Sequence, residues 1–350
     1  MRTYLKYGFY NTVIKKAAGQ NRFTKKLRVC MYDPARKGKR KIMEAYAART
    51  QNLTKNYRDF CALDKVNISV RRGEIYGLVG DNGAGKTTFL KLLSGQIFPS
   101  GGELSLFGKH TQEELKNARS RIGVLIEEAG FYPALTVEQN LEYYRLLKGI
   151  PGKQSVAEAL EMTGLAEFRK KSCRELSFGM KQRLGLAIAL LGVPEFLLLD
   201  EPINGLDPSG ILEMRNLLLK LNQEKNITIL LSSHILSELE QIATVYGFLQ
   251  KGHLLEEISA EALYKKCADY VEIQVTDAQT YAVLLEQKLH HTQYQILPEG
   301  KIHILQADRP TEVYSALASD AQLAVLSLSR YHQSLEEYYM NLKNGGAEIC

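Results

Sequence analysis

The run Gly80-Asp81-Asn82-Gly83-Ala84-Gly85-Lys86-Thr87 fits the pattern G-x-x-x-x-G-K-[ST], with a short apolar segment before it and a helical period after it. Residue types at that spacing hold phosphate. Glycines let the backbone turn through unusual dihedrals and approach a ligand closely. Successive N–H groups then point into one concavity, a nest for phosphate oxygens. The helix that starts near Lys86 adds its positive dipole end. Lys86 supplies a full charge to β- and γ-phosphates, and Thr87 can place its hydroxyl on Mg²⁺. Far along the chain, Phe196-Leu197-Leu198-Leu199 leads into Asp200-Glu201. A buried strand ending in two carboxylates puts Asp200 where it can hold a metal's water shell. Glu201 then lies beside the γ-phosphate, a candidate general base for an attacking water. His234 follows another apolar strand and Ser232-Ser233, where it could reach the same phosphate. The other six histidines show no metal-ligand spacing. The five cysteines, at positions 30, 61, 173, 267 and 350, contain no CxxC pair, so neither a zinc site nor a disulfide framework is expected.

These groups need elements to hold them. The pattern predicts strands over Gln51–Tyr57 and Leu63–Val70, joined by a polar turn. A short strand, Ile75–Val79, enters the Gly-rich loop, and a helix over Thr87–Leu93 leaves it. Glu103–Phe107 and Ile122–Ile126 are further strands, and residues 134–191 are mostly helical in period. Phe196–Leu199 and Ile227–Leu231 are continuous apolar runs, as parallel strands buried on both faces require. Val245–Gln250 and His253–Ile258 flank Lys251-Gly252, which reads as a hairpin. From about residue 260 the order changes to strand (Tyr270–Val275), helix (Ala278–Leu289), strands (Gln293–Leu297 and Lys301–Gln306), helix (Thr311–Ala318) and strand (Leu323–Leu328). That βαββαβ order predicts a small α+β ferredoxin-like unit. A terminal helix over Ser334–Leu342 follows, with Ser334 as N-cap and Glu337 three residues on. The division expected is an arm over 1–49, a main domain over 50–258 with a helical part at about 131–185, and an accessory domain over 259–345.

The chain has 350 residues, of which 45% are hydrophobic and 24% charged, which argues against a wholly disordered or collagenous protein. No uninterrupted apolar run approaches the ~20 residues of a membrane-spanning helix; Leu184–Leu199 comes closest and is broken by Pro194 and Glu195. The net charge of +6 is unevenly placed: residues 1–42 carry 13 Lys/Arg and one acid, while the rest holds 32 basic and 38 acidic residues. The main body is thus mildly acidic, and no nucleic-acid partner is expected. The basic segment reads as a solvated, poorly ordered arm. Contact with anionic lipid and a true start at Met43 are the other readings, and a mitochondrial transit peptide fits less well because the stretch contains no Ser.

Between the two phosphate-directed constellations lies Leu176-Ser177-Phe178-Gly179-Met180-Lys181-Gln182-Arg183. It resembles the signature motif of the ATP-binding cassette (ABC) ATPases. The whole order then resembles that family: phosphate loop at 80–87, signature at 176–180, acidic strand end at 200–201, Gly205-Leu206-Asp207 as the D-loop, and His234 as the switch histidine. The resemblance covers about residues 50–258. It implies an α/β P-loop ABC nucleotide-binding domain, with a mixed-sheet core and a helical subdomain, that binds ATP with Mg²⁺. Tyr57 matches the aromatic that stacks on adenine, and the resemblance extends the phosphate site to Thr88. It also implies that Ser177, Gly179 and Asp207 close over the ATP of a second cassette, two ATPs being sandwiched in a head-to-tail dimer. A Ser hydroxyl and N–H groups ahead of a helix suit such an anion contact.

Two departures stand out. Phe178 and Met180 replace a Gly and the Gln of the usual L-S-G-G-Q. Glu127, at the end of Ile122-Gly123-Val124-Leu125-Ile126-Glu127, replaces the family's Gln, which senses Mg²⁺ and contacts the membrane partner. As a carboxylate it is a stronger metal ligand and a further catalytic-site candidate, but it adds negative charge near the phosphates. Glu127, the run Phe131-Tyr132-Pro133-Ala134-Leu135-Thr136 and the string Met180-Lys181-Gln182-Arg183 resemble the subgroup that exports bacitracin and lantibiotic-type peptides. The tail's Ser334-Leu335-Glu336-Glu337-Tyr338-Tyr339 fits it as well. The resemblance implies the ATPase motor of a bacterial exporter for peptide antibiotics or other drugs. Two copies would sit under a separately encoded permease on the cytoplasmic face of the membrane. The alternatives are an importer motor and a non-transport regulatory ATPase.

Overall fold

The computed structural model describes residues 45–127, 130–267, 270–331 and 334–343. The basic arm before residue 45 and a start at Met43 lie outside the described residues. Up to residue 259 the strands are β1 (Tyr46–Tyr57), β2 (Phe60–Val66), β3 (Ser69–Arg71), β4 (Ile75–Val79), β5 (Gly101–Leu106), β6 (Ile122–Leu125), β7 (Phe196–Asp200), β8 (Thr228–Ser233), β9 (Val245–Gln250) and β10 (His253–Ser259). The helices interleaved with them are α1 (Lys86–Ser94), α2 (Gln112–Arg119), α3 (Val137–Leu147), α4 (Gln154–Met162), α5 (Phe178–Leu190), α6 (Pro208–Lys225) and α7 (Leu236–Glu240).

The main sheet runs in the order β10-β9-β4-β8-β7-β6. All pairings in it are parallel except the β9–β10 hairpin. All five residues of β4 are buried, as a strand covered on both faces demands. Alternate side chains enter two cores. Ile75, Val79, Leu197, Leu199, Ile229 and Leu231 pack with α5 and α6 on one face. Tyr76, Leu78, Phe196, Leu198 and Leu230 pack on the other with α1, through Phe89 and Leu92. The antiparallel sheet of β1, β2, β3 and β5 covers that second face. The register aligns Val79 with Ser233 and Asp200 with Ser232. The carboxyl ends of β4, β7 and β8 therefore lie side by side, and the loops leaving them meet at one edge, where open α/β sheets bind ligands.

The helical part has its own core, built from Val137 and Leu141 of α3, Leu160 of α4, and Leu184 and Ala187 of α5. Thr136 and Gln139 form a reciprocal capping box at the start of α3. The C-terminal elements are α8 (Ala260–Lys266), β11 (Tyr270–Val275), α9 (Ala278–Leu289), β12 (Tyr294–Ile296), β13 (Lys301–Ile304), α10 (Thr311–Asp320), β14 (Val325–Tyr331) and α11 (Leu335–Lys343). Their antiparallel sheet runs β12-β13-β11-β14, the ferredoxin-like order, with Val271, Ile273, Ile302 and Ile304 packed on Tyr281, Leu285 and Tyr314 of α9 and α10.

Several elements differ from the sequence expectation. β1 starts at Tyr46, so residues 46–49 are not part of an arm; Ala47 and Ala48 are buried, and Ala48 pairs with Val70 and Leu106. Small apolar residues carry too little hydrophobic signal for that start to be visible. The strand expected over Leu63–Val70 is two strands, broken where Asn67 accepts from Asn52 N and donates to Lys65 O. Helix α6 was not anticipated, although Asp207 as N-cap and Pro208 in the first turn announce it. Helix α2 likewise begins with a capping box, Thr111 with Glu114. At the Lys251-Gly252 hairpin both residues have positive φ, 46° and 83°, as a two-residue primed turn requires.

At the opposite edge, Glu195 ties strand starts together. Its carboxylate takes a bidentate pair from Arg121 at 2.5 and 2.6 Å and a third contact from Arg72 at 3.0 Å, while both guanidiniums sit over the Phe107 ring. The Arg121 hydrogen bond first, against a partial desolvation cost, holds the Glu195 carboxyl below its ordinary range. A depressed carboxyl stabilises the fold above its unfolded value and loses that contribution as pH falls through the folded value. Glu195→Gln should therefore cost about 1 kcal/mol at pH 7, after allowance for solvent screening. In urea unfolding the difference from wild type should shrink and be lost as the pH is taken down below the ordinary carboxylate range.

Candidate nucleotide site

The loop between β4 and α1 is forced into shape by its glycines. Gly85 has φ 109°, and a Cβ there would sit 2.7 Å from the Ala62 carbonyl oxygen and 2.8 Å from Leu63 Cδ2. Lys86, only 5% exposed, folds back over the loop and donates to the Gly80 carbonyl at 2.6 Å and the Asp81 carbonyl at 3.2 Å. Its ammonium also lies 3.4 Å from Glu201 Oε1. A buried ammonium requires such partners, because desolvation without them costs several kcal/mol.

The acidic strand end meets the loop directly. Thr87 Oγ1 donates to Asp200 Oδ2 at 2.8 Å, and Ser232 Oγ donates to Asp200 Oδ1 at 2.5 Å. Glu201 N donates to Ser232 at both Oγ (3.0 Å) and the carbonyl oxygen (3.2 Å). Glu201 has φ 47°, a left-handed conformation that turns its side chain away from the strand direction. His234 Nδ1 lies 2.8 Å from Glu201 Oε2, and the Asn204 amide donates to that same oxygen at 3.0 Å. Lys86, Thr87, Asp200, Glu201 and His234, separated by up to 148 positions in the chain, thus form one connected polar cluster. Ser232 and Asn204 belong to it and were not singled out from sequence. Ser232 stands two residues before His234, at the end of the same apolar run, and that position was its only signal.

Other candidates lie apart. Ser177 caps α5, its Oγ accepting from Met180 N at 3.3 Å, and Asp207 caps α6, accepting from Gly210 N at 3.3 Å and Ser209 Oγ at 2.6 Å. The Ser209 hydrogen bond lowers the Asp207 carboxyl from its ordinary value. Among the described residues no hydrogen bond or ion pair joins Ser177, Gly179 or Asp207 to the phosphate loop. Phe178, at the position where the usual signature has Gly, stays exposed and lies against Gly205, whose φ is 74° and whose Cβ would fall 3.1 Å from the ring. Tyr57 is 43% exposed, with the Lys55 ammonium 4.9 Å from its ring centroid. Asp81, Asn82 and Gly83 are exposed at the loop's outer side, Ala84 is buried, and Thr88 is half-buried in the first turn of α1. Glu127 has φ 60° and pairs with Lys91, one turn along α1 from Thr87, at 2.5 Å. Its partner is thus an ammonium, not the Thr87–Asp200 pair. Among the described residues no cluster of three or more His, Cys, Asp and Glu is arranged to hold a metal by itself. Thr87 and Asp200 offer adjacent hard oxygens, which fits an ion that keeps most of its ligands from water and phosphate.

A phosphate loop at the end of a central parallel strand, beside an acidic strand end and a histidine, defines a P-loop nucleoside-triphosphatase with a cassette-type helical insertion. The family model described as ABC transporter matches residues 63–204. The bacitracin transport ATP-binding protein BcrA of Enterococcus faecalis is 41% identical over 305 residues, 87% of this chain and 98% of that protein. The lantibiotic transport ATP-binding protein SrtF of Streptococcus pyogenes is 38% identical over 210 residues, 60% of this chain and 89% of that protein. Among solved structures, the dimeric post-hydrolysis state of an ATP-binding cassette bound to ADP and Pi aligns with TM-score 0.56 and 26% identity, covering 61% of this chain and 98% of that one. The chain belongs to the ABC transporter family and is an ATP-binding ATPase subunit of that class. No described helix is long and apolar enough to cross a membrane.

Gly85→Ala combines a disfavoured φ with a backbone collision. It should lower the stability of the nucleotide-free protein by about 2–4 kcal/mol, measured by urea unfolding.

Proposed function

We propose that the chain is the ATP-hydrolysing motor of a bacterial exporter for bacitracin- or lantibiotic-type peptides. Two copies, paired head to tail, would dock on a separately encoded permease at the cytoplasmic face of the membrane. The observation that carries the chemistry is the connected cluster in which Lys86 and His234 both contact the Glu201 carboxylate while Thr87 and Asp200 share a hydrogen bond. The similarity to peptide-transport ATP-binding proteins over most of the chain supports the cargo class.

In this reading Glu201 is the general base that takes a proton from the attacking water, and His234 and Asn204 orient its Oε2 oxygen. Lys86 exchanges its contacts with the Gly80 and Asp81 carbonyls for phosphate oxygens. The loop 80–88 cradles the phosphates and Tyr57 stacks on adenine. Mg²⁺ would be held by Thr87 and Asp200, with Glu127 as a further candidate carboxylate once released from Lys91, and would neutralise phosphate charge. Ser177 and Gly179 at the exposed tip of α5, with Asp207 at the tip of α6, would close over the nucleotide of the other copy. ATP then holds the pair together because it contacts both, and hydrolysis releases them.

One variant tests the assignment at two levels. Glu201→Gln should retain ATP binding, cut turnover by about 10²-fold or more and accumulate an ATP-stabilised dimer in size-exclusion chromatography. Turnover equal to wild type would remove Glu201 from the role of base. In membranes containing the permease, the same variant should abolish protection against peptide antibiotics.

A further inference from the structure

The last helix does not belong to the core of the sheet that precedes it. Ser334 and Glu337 cap α11 reciprocally, and Leu335 and Tyr339 are buried in the core formed by α5, α6 and the main sheet. The Tyr339 ring stacks on Phe248 with centroids 5.7 Å apart and planes 19° apart. Phe248 pairs in register with Val79, the last residue before the phosphate loop. From this anchor Lys343 reaches Asp81, the second residue of that loop, with Nζ 2.6 Å from Oδ2 and 5.2 Å from the Tyr339 ring centroid. On the same helix, Glu336 Oε1 accepts from Ser237 N at 3.2 Å, three residues beyond His234. Tyr338 donates to Glu256 at 2.6 Å and receives from Lys266 at 3.2 Å, which ties α11 to β10 and α8. One C-terminal helix thus touches both the phosphate loop and the segment that follows the histidine.

The charge arrangement gives this contact a direction. Asp81 places a carboxylate in a loop whose ligand is a polyanion, and its field opposes that ligand. Lys343 is 262 positions away and sits on that carboxylate, with its ammonium also over the Tyr339 ring. We propose that Lys343 is a positioning residue that neutralises Asp81, so that the docking of α11 sets the affinity of the site for ATP. The C-terminal domain gains through this helix a handle on the nucleotide cycle. The inference rests on loop 80–87 being the phosphate cradle.

Purified full-length wild type, Lys343→Gln, Asp81→Asn and the double variant would be titrated with a fluorescent ATP analogue and Mg²⁺. Lys343→Gln should weaken binding about three- to tenfold. Asp81→Asn should bind at least as tightly as wild type, and the double variant should match Asp81→Asn within about twofold, because removing the acid removes the need for the base. A purely structural role for α11 gives no such rescue. Wild-type affinity in Lys343→Gln overturns the proposal, and so does a double variant as weak as Lys343→Gln. Lys86→Ala in the same assay separates the two levels: its loss of binding supports the cradle, whereas wild-type affinity there overturns the cradle assignment and the inference with it.

Discussion

Asp200 is held by two hydroxyls from two other parts of the chain, Thr87 at one oxygen and Ser232 at the other. This junction joins the first turn of α1, the end of β7 and the end of β8, and the remaining site geometry follows from it. With Asp200 fixed, Glu201 turns out of the strand in a left-handed conformation and its backbone N–H is taken up by Ser232. Its carboxylate then lies between Lys86 and His234. The junction exists only because three parallel strands end in register. A shift of one residue in any pairing would send Asp200 or Ser232 to the opposite face of the sheet.

The same economy governs the buried cation. Lys86 is almost wholly removed from water, so its ammonium must be matched by oxygens wherever it points. In this structure those oxygens are two carbonyls of its own loop and Glu201. The loop is therefore closed on its own lysine, and a phosphate that replaced those oxygens would satisfy the same charge. Lys91 does the equivalent for Glu127 one turn later, so the extra carboxylate at that position is met by a base on α1. Both pairs show the site keeping negative groups close to compensating ammonium ions.

The tips of α5 and α6 are built differently. Ser177 and Asp207 satisfy backbone N–H groups of their own helices, which defines each tip but leaves it facing outward. Phe178 occupies the space that Gly205 leaves open, so the unusual aromatic in the signature is accommodated by the neighbouring turn. Together these features leave the N-terminal tips of α5 and α6 exposed, each with a backbone N–H taken up by its own cap.

Much of this was legible from residue order alone. The phosphate loop, the strand into Asp200-Glu201 and His234 depend on local geometry: each is a short apolar strand followed by residues with one chemical use, and period-2 and period-3.6 patterns report such units directly. The βαββαβ tail order and the Lys251-Gly252 hairpin were readable for the same reason. The start of β1 at small alanines and the break at Asn67 were not, because weak hydrophobic contrast and tertiary pairing decide them, whereas the long helix α6 carries its own local start in Asp207-Pro208. Sequence thus determined which side chains have chemistry suited to phosphate and where along the chain they stand. Only the folded chain decided that Ser232 and Asn204 join them, that Glu127 answers to Lys91, and that α11 leaves its own sheet to meet Asp81. Those contacts span up to 262 positions, and their partners are selected by register and burial, which no local pattern records.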